Sequence, residues 1–351
     1  DVNVCALDLL SEADGDDVAS TSFGWRLRRT VPDVPPELTP FAATWQLAAS
    51  GITQLQTDYY ETLQFSDQRT AALASDQSPY TREVLSGRSY RDVARVDAVT
   101  GKRDAIISKT IGSTSISPSG RYVVYSQQGQ WWSYDASTGR RANLTDKTRA
   151  SFVDLEDDHP TPERAMYGLA GWTPTEDAAI VYDQFDLWRL KLDGSAAERL
   201  TRGREDTTVY RNVSLDPDRA GGGGFGGGGG GFGGGGGTAA IDLSKPVFLS
   251  ATGDWSKKSG YAKLVGGKVE RLVWRDKAIS SLRKARNTES YIYLEQSFSD
   301  SPDYFVVTSD ALGAAQAISR TNPFQGDYAW GKQVLSSYRS AHGDKLQMML
   351  A

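Results

Sequence analysis

The chain has 351 residues, 39% of them hydrophobic and 10% aromatic, which supplies ample apolar surface for a core. Its formal charge of −5 is mild and spread out, and so argues against nucleic acid or an anionic membrane surface as a partner. No apolar run approaches the ~20 residues of a membrane span, and the single cysteine, Cys5, has no second thiol for an internal disulfide.

Residues 1–10 contain one strand-like run, VNVCALDLL, which reads as an isolated strand. Residues 11–40 are polar and proline-bearing (VPDVPPELTP), a loop with one strand, FGWRLRR. From Thr44 onward one pattern returns six times: a strand-like run, a short turn with Gly, and a second strand-like run. It reads WQLAASGITQL, ARVDAVTGKRDAI, WSYDASTGRRANLT, WRLKLDGSAAERLT, YAKLVGGKVERLV and FVVTSDALGAAQAIS, with turn glycines at Gly51, Gly101, Gly139, Gly194, Gly267 and Gly313. Their separations are 50, 38, 55, 73 and 46 residues.

Between the fourth and fifth hairpins lies the run 221–237, fifteen glycines interrupted by Phe225 and Phe232. Polyglycine loses maximal backbone entropy on ordering and has almost no side chains to pack, so this run is expected to be a disordered excursion. Removing its 17 residues shortens the 73-residue separation to 56. In the third unit, Ser117-Pro118-Ser119-Gly120 reads as a tight turn, and Tyr122, Val124 and Ser126 alternate with Val123 and Tyr125 as a strand does. In the fourth, Thr173-Pro174-Thr175-Glu176-Asp177 is the corresponding turn. Sustained 3.6-residue periodicity is absent.

A period of roughly 40–50 residues with several strands per unit is the signature of a β-propeller, one four-stranded antiparallel blade per repeat. Six hairpins plus the first strand suggest seven blades. The expected organisation is a propeller over 1–335, including the glycine-rich loop 221–237, followed by an outgoing strand over 336–351. Asp1 is not a natural start, and the last segment, KLQMMLA, stops inside an apolar strand; both suggest a piece of a longer polypeptide.

Candidate chemistry is sparse. The stretch FVDLEDDHPTPERAMYG gathers Asp154, Glu156, Asp157, Asp158 and His159. Its functional reading is a metal site or an acidic patch that captures a substrate amino group. EF-hand spacing is absent, zinc would want more than one His or Cys, and a solvated acidic loop is the simpler expectation. The other histidine, His342, sits in SAHGDK, a hairpin turn, and is expected to be exposed. No G-x-S-x-G elbow occurs, so this chain alone cannot assemble a Ser-His-Asp triad. Catalytic residues, metal ligands and cofactors are therefore not expected within it.

The wording of the units nevertheless resembles a known family. SYRDVARVDAVTGKR, SISPSGRYVVYSQQGQWWSYDASTGRRANLT, YGLAGWTPTEDAAIVYDQFDLWRLKLDG, IDLSKPVFLSATGDWSKKSGYAKL and YAWGKQVLSSYRSAHGDKLQMMLA are similar to the N-terminal propeller of bacterial prolyl oligopeptidase-family serine peptidases, of dipeptidyl-peptidase or acylaminoacyl-peptidase type. The last segment carries most of this resemblance. In that family a strand of this kind leaves the propeller for the α/β-hydrolase domain, and Ser340 to Leu346 fills that place, with His342 where the family usually has Asp.

The resemblance implies a periplasmic or secreted peptidase, with cytoplasm as the alternative, acting on peptides through its own C-terminal hydrolase domain, where the catalytic residues would lie. It leaves a homo-oligomer open. In the dipeptidyl-peptidase branch a propeller Glu pair binds the substrate amino group; here only Leu155-Glu156-Asp157-Asp158 stands in for it, without the aromatic-Glu-Glu setting. The expected function is a non-catalytic gate that selects substrates for a serine peptidase. The alternative is a free-standing, WD40-like propeller that scaffolds protein partners. A propeller glycosidase would need carboxylates converging on the channel, which spacing alone cannot show.

Overall fold

All six expected hairpins are present, and each closes its own antiparallel sheet. The computed structural model describes residues 3–6, 42–46, 51–85, 88–215 and 240–350. The expected strand FGWRLRR and the glycine-rich run 221–237 lie outside the described residues.

In chain order, the first sheet is three-stranded: Asn3–Ala6, Ala42–Gln46 and Gly51–Gln54. The second runs Glu61–Phe65, Ala71–Asp76, Arg91–Asp97 and Arg103–Thr110. The third is Thr114–Ile116, Tyr122–Gln127, Gln130–Asp135 and Arg140–Asn143, and the fourth Leu169–Trp172, Ala178–Tyr182, Leu187–Lys191 and Ala197–Arg199. The fifth is Thr208–Asn212, Val247–Gly253, Ser259–Val265 and Lys268–Arg275. The sixth is Ala278–Lys284, Tyr291–Ser297, Asp300–Val307 and Gln316–Ala317. A separate two-stranded hairpin, Val334–Arg339 with Lys345–Leu350, ends the chain.

Within each four-stranded sheet, spatial neighbours follow sequence order, so pairing is local and no crossover is needed. The uneven glycine spacing now has a cause. The 38-residue step between Gly101 and Gly139 is a bare sheet. The 50-residue step absorbs a 3-10 turn at Ser78–Tyr80 and a small hairpin, Val84–Leu85 with Arg88–Ser89. The 55-residue step absorbs the acidic loop between the third and fourth sheets. Gly101, Gly139, Gly194 and Gly267 adopt the left-handed conformation expected of them (φ +69 to +77°). Gly313 does not, because its turn is a 3-10 helix, Leu312–Ala314.

Two compact units are present among the described residues, one drawn from 3–183 and 189–197 and the other from 184–188, 198–215 and 241–350. In the first, Ala71, Leu73, Val93 and Ile106 of the second sheet pack against Ile116, Val123, Tyr125 and Tyr134 of the third. In the second, Tyr261 and Val273 of the fifth sheet pack against Ile279, Leu282, Tyr291 and Tyr293 of the sixth. This face-to-face stacking covers both sides of a central strand. Tyr122–Gln127 is the strand its alternation predicts, and Val123, Val124, Tyr125 and Ser126 are all buried. A central strand covered on both faces has no solvent side for its alternate residues.

The expected turns also hold consecutive sheets together. Ser117–Gly120 closes with the Gly120 N–H donating to the Ser117 carbonyl at 2.8 Å, and Gly120 has φ +77°. A Cβ there would come within 2.8 Å of the Ala71 Cβ, so Gly is required twice over. On one side the Pro118 carbonyl accepts from the Gln68 N–H at 3.0 Å; on the other, the Ser119 N–H donates to Glu176 Oε1 at 2.6 Å.

The fifth and sixth sheets share a polar anchor. The buried Glu295 accepts from Arg275 Nη1 at 2.8 Å and Lys277 Nζ at 3.0 Å. Nearby, the Tyr261 hydroxyl accepts the Leu282 N–H at 3.0 Å, and burial pushes its pKa up to about 12. A tyrosine whose folded pKa is raised contributes fully below the unfolded value near 10 and loses that contribution as pH rises through the folded value. Two units at 1.36 kcal/mol each amount to about 2.7 kcal/mol. The unfolding free energy of the wild type is therefore expected to fall by about that much more than that of Tyr261→Phe between pH 10 and 12. Parallel curves for the two proteins in urea titrations would rule this out.

Candidate functional site: the acidic loop between the third and fourth sheets

The candidate residues lie in an ordered loop. Its stem is a short antiparallel bridge, Val153 with Met166, continued by the Asp154 N–H on the Ala165 carbonyl (2.7 Å) and the Tyr167 N–H on the Phe152 carbonyl (3.0 Å). Phe152 and Met166 are buried and anchor the stem to the core. Between them the run Asp-Leu-Glu-Asp-Asp-His-Pro cannot bury its carboxylates without partners, so it turns.

The turn is organised around one of them. The Asp157 side chain is 0% exposed. Its Oδ1 accepts from the His159 N–H at 3.2 Å and from His159 Nδ1 at 2.6 Å, and its Oδ2 accepts from the Ala165 N–H at 3.0 Å. A carboxylate taken out of water is tolerated when such donors replace its hydration. Asp154 is half-buried and accepts the Glu156 N–H at 3.0 Å. Tyr167, half-buried beneath it, has its hydroxyl pKa pushed up to about 12, first by burial and then by the Asp154 charge.

Glu156 and Asp158 point outward and are exposed. The four carboxylates named from the sequence thus separate by role. Asp157 and Asp154 hold the loop, and Glu156 and Asp158 face solvent. The neighbours Asp157 and Asp158 differ in exposure, the first buried and the second exposed, although a carboxylate oxygen of each lies within 4.8 Å of the other. Sequence reasoning gave Asp157 no structural role. The available signal was its Asp-x-His spacing, which allows a carboxylate to reach the backbone N–H and the ring two residues on.

Asp157, Asp158 and His159 each bring one ligand-type atom within 4.8 Å of the others. Of these, Asp157 already engages the loop with both oxygens, and Asp158 and His159 are exposed. With one exposed carboxylate, Asp158, the set is better suited to closing a turn than to enclosing a cation. His342 is exposed in its hairpin turn, where its N–H donates to Ser340 Oγ at 3.2 Å. No helix among the described residues is long and apolar enough to cross a membrane.

No family model matches this chain, and no curated protein does. Solved structures do. A dipeptidyl peptidase 4 from Porphyromonas gingivalis superimposes with a TM-score of 0.55 at 10% identity, over 88% of this chain and 47% of that one. A candidate dipeptidyl aminopeptidase IV from Bacteroides ovatus gives 0.52 at 12% identity, over 88% of this chain and 50% of that one. At such identities the likeness is one of fold: the chain is all-β, a β-propeller built of four-stranded antiparallel sheets. It spans about half the length of these proteins.

Proposed function

We propose that this chain is the non-catalytic, substrate-selecting propeller of a periplasmic or secreted serine peptidase of the prolyl oligopeptidase family. One observation carries the reading furthest. The final hairpin pairs only with itself in the sheet order, and it exposes Val334, Tyr338, Met348, Met349 and Leu350. Clustered exposed apolar side chains mark an interaction surface rather than a finished one. This is also the segment whose sequence resembles the family's exit toward its hydrolase domain. The fold shared with two peptidases of twice this length supports the same reading.

A toroid over a catalytic cleft would select by size, admitting short flexible peptides and excluding folded proteins and bulk water. The exposed Glu156 and Asp158 are the groups to capture a peptide ammonium; Asp157 is committed to the loop. The isolated chain is expected not to react with a fluorophosphonate probe, since its sequence holds no G-x-S-x-G elbow to present an activated serine. The longer product of the same gene is expected to label and to prefer short peptides. In that product, Glu156→Ala with Asp158→Ala is expected to lower kcat/KM ten- to hundred-fold for peptides with a free amino terminus, matching ~1.5–3 kcal/mol for a charged hydrogen bond. N-acetylated peptides should be unaffected. A change below about threefold would make the loop a solvated surface only.

The scaffold alternative draws on a neighbouring feature. Phe324, Tyr328 and Trp330 are exposed on a loop tied down by Gln325, whose Nε2 donates to the Ser299 carbonyl at 2.7 Å and whose own carbonyl accepts Trp330 Nε1 at 2.9 Å. Ordered, outward aromatics suit protein docking. Absence of probe labelling in the longer product would favour this reading.

A further inference from the structure

A second site lies within the first unit, between the third sheet and the turn that follows Lys191 in the fourth. It is a cleft of about 240 Å³ lined by Tyr122, Ser133, Asp135, Arg140, Ala142, Asp177, Lys191, Leu192 and Asp193. The two sheets meet there through Ser133 Oγ, which donates to the Leu192 carbonyl at 2.6 Å.

Most of the charge in this cleft is committed. Asp135 accepts from Arg121 through both oxygens, at 2.9 and 2.8 Å. Asp177 accepts from Lys191 Nζ at 2.7 Å. These cations hold both carboxyls well below the usual carboxylate range, so the two pairs stay ionised and neutralise each other.

Two charges are left over. Among the described residues, the exposed Arg140 guanidinium has no hydrogen-bond or ion-pair partner, and the exposed Asp193, which accepts the Ser195 N–H at 2.9 Å, has no ion-pair partner. They do not pair with each other. The Tyr122 hydroxyl, also on the lining, has no hydrogen-bond partner among the described residues. The lining also carries apolar surface, from Ala142, Leu192 and the Tyr122 ring.

A cation and an anion that both lack ion-pair partners, on a lining that also carries apolar surface, complement a ligand that bears both charges. A plain anion would meet Asp193, and a plain cation would meet Arg140. The volume is below the ~300–1,000 Å³ of drug-sized sites, which limits the ligand to a few heavy atoms beyond a single residue. We propose that this cleft binds a small apolar zwitterion, a free amino acid or dipeptide, with its carboxylate on Arg140 and its ammonium on Asp193. Guanidinium offers a planar fork to a carboxylate, which a lysine could not. The proposal does not rest on the gating function and is tested on the 351-residue chain alone.

The test is calorimetric titration with alanyl-leucine, its N-acetyl form and its C-terminal amide. Alanyl-leucine is expected to bind saturably, and each capped form about tenfold or more weaker, the loss of one charged hydrogen-bonded contact. Arg140→Gln is expected to abolish discrimination against the amide while keeping that against the acetyl form. Asp193→Asn is expected to do the reverse. Both side chains are exposed, so both variants should fold; Arg69→Gln, elsewhere on the surface, should bind as the wild type does. Absence of saturable heat in the wild type, indifference to either cap, or discrimination that survives its matching substitution would each overturn the proposal.

Discussion

Asp157→Ala is expected to destabilise the chain by about 2–4 kcal/mol, whereas Glu156→Ala and Asp158→Ala should each stay within about 0.5 kcal/mol of the wild type. The asymmetry follows from exposure. Asp157 is fully covered and accepts three hydrogen bonds, two from His159 and one from the Ala165 N–H. Truncation leaves the Ala165 N–H without its acceptor at the base of the loop, and the stem bridge between Val153 and Met166 should open with it. His159 is exposed and can turn to water, which keeps the estimate below the sum of three charged contacts. Urea unfolding of the three variants, with hydrogen exchange at Ala165, measures this. Equal stabilities for all three would mean that Asp157 is not what holds the loop. The consequence for function is practical: lost peptidase activity in an Asp157 variant would report a displaced loop, not a lost substrate contact.

Gly260→Ala is expected to cost about 3–5 kcal/mol, well above the cost at an open turn glycine. Gly260 sits inside Ser259–Val265, opposite Trp274 and beside a register shift at Tyr261/Ala262. A Cβ there would lie 1.9 Å from the Val273 carbonyl oxygen and 2.7 Å from its carbon. Both are backbone atoms of the paired strand, so no side chain can swing aside and the strands themselves must part. Gly266 in the following turn is the control. It has φ +55° but nothing within 4 Å of an added Cβ, so Gly266→Ala should cost only the left-handed backbone penalty, roughly 1–2 kcal/mol. Guanidinium melts compare the two, and a milder effect at Gly260 than at Gly266 would refute the steric account.

These two glycines show why parts of the fold were legible and others were not. Gly267 announces a turn because it is flanked by two strand-like runs, and the same local rhythm located all six sheets. Gly260 carries no such mark; its need arises from a strand that approaches from more than ten residues away, at a register set by a bulge. The stretch Tyr122–Gln127 is similar. Its alternation is visible, but whether its second face meets water or another sheet depends on a neighbour that local sequence does not contain. The acidic loop was found as a cluster, because five ionisable residues within six positions stand out in any chain. Its division into an inward and an outward pair was not, since that depends on which carboxylate the loop closes over. The Arg140 cleft left no trace at all, its lining being drawn from residues 122 to 193.

By itself, then, the sequence determined what depends on near neighbours along the chain: six glycine-turned hairpins, an all-β propeller built of four-stranded units, and the absence of a nucleophile elbow. Hairpin pairing and turn chemistry act over a handful of residues, so composition and spacing suffice for them. Only the tertiary structure decided which side chains lose water and which keep it. Asp157 became a buried post while Asp158 stayed exposed; Arg140 was left unpaired while Arg121 and Lys191 were taken. Desolvation and charge pairing depend on groups brought together from distant positions. Identical residue types, even adjacent ones, therefore acquire different roles only when the sheets pack.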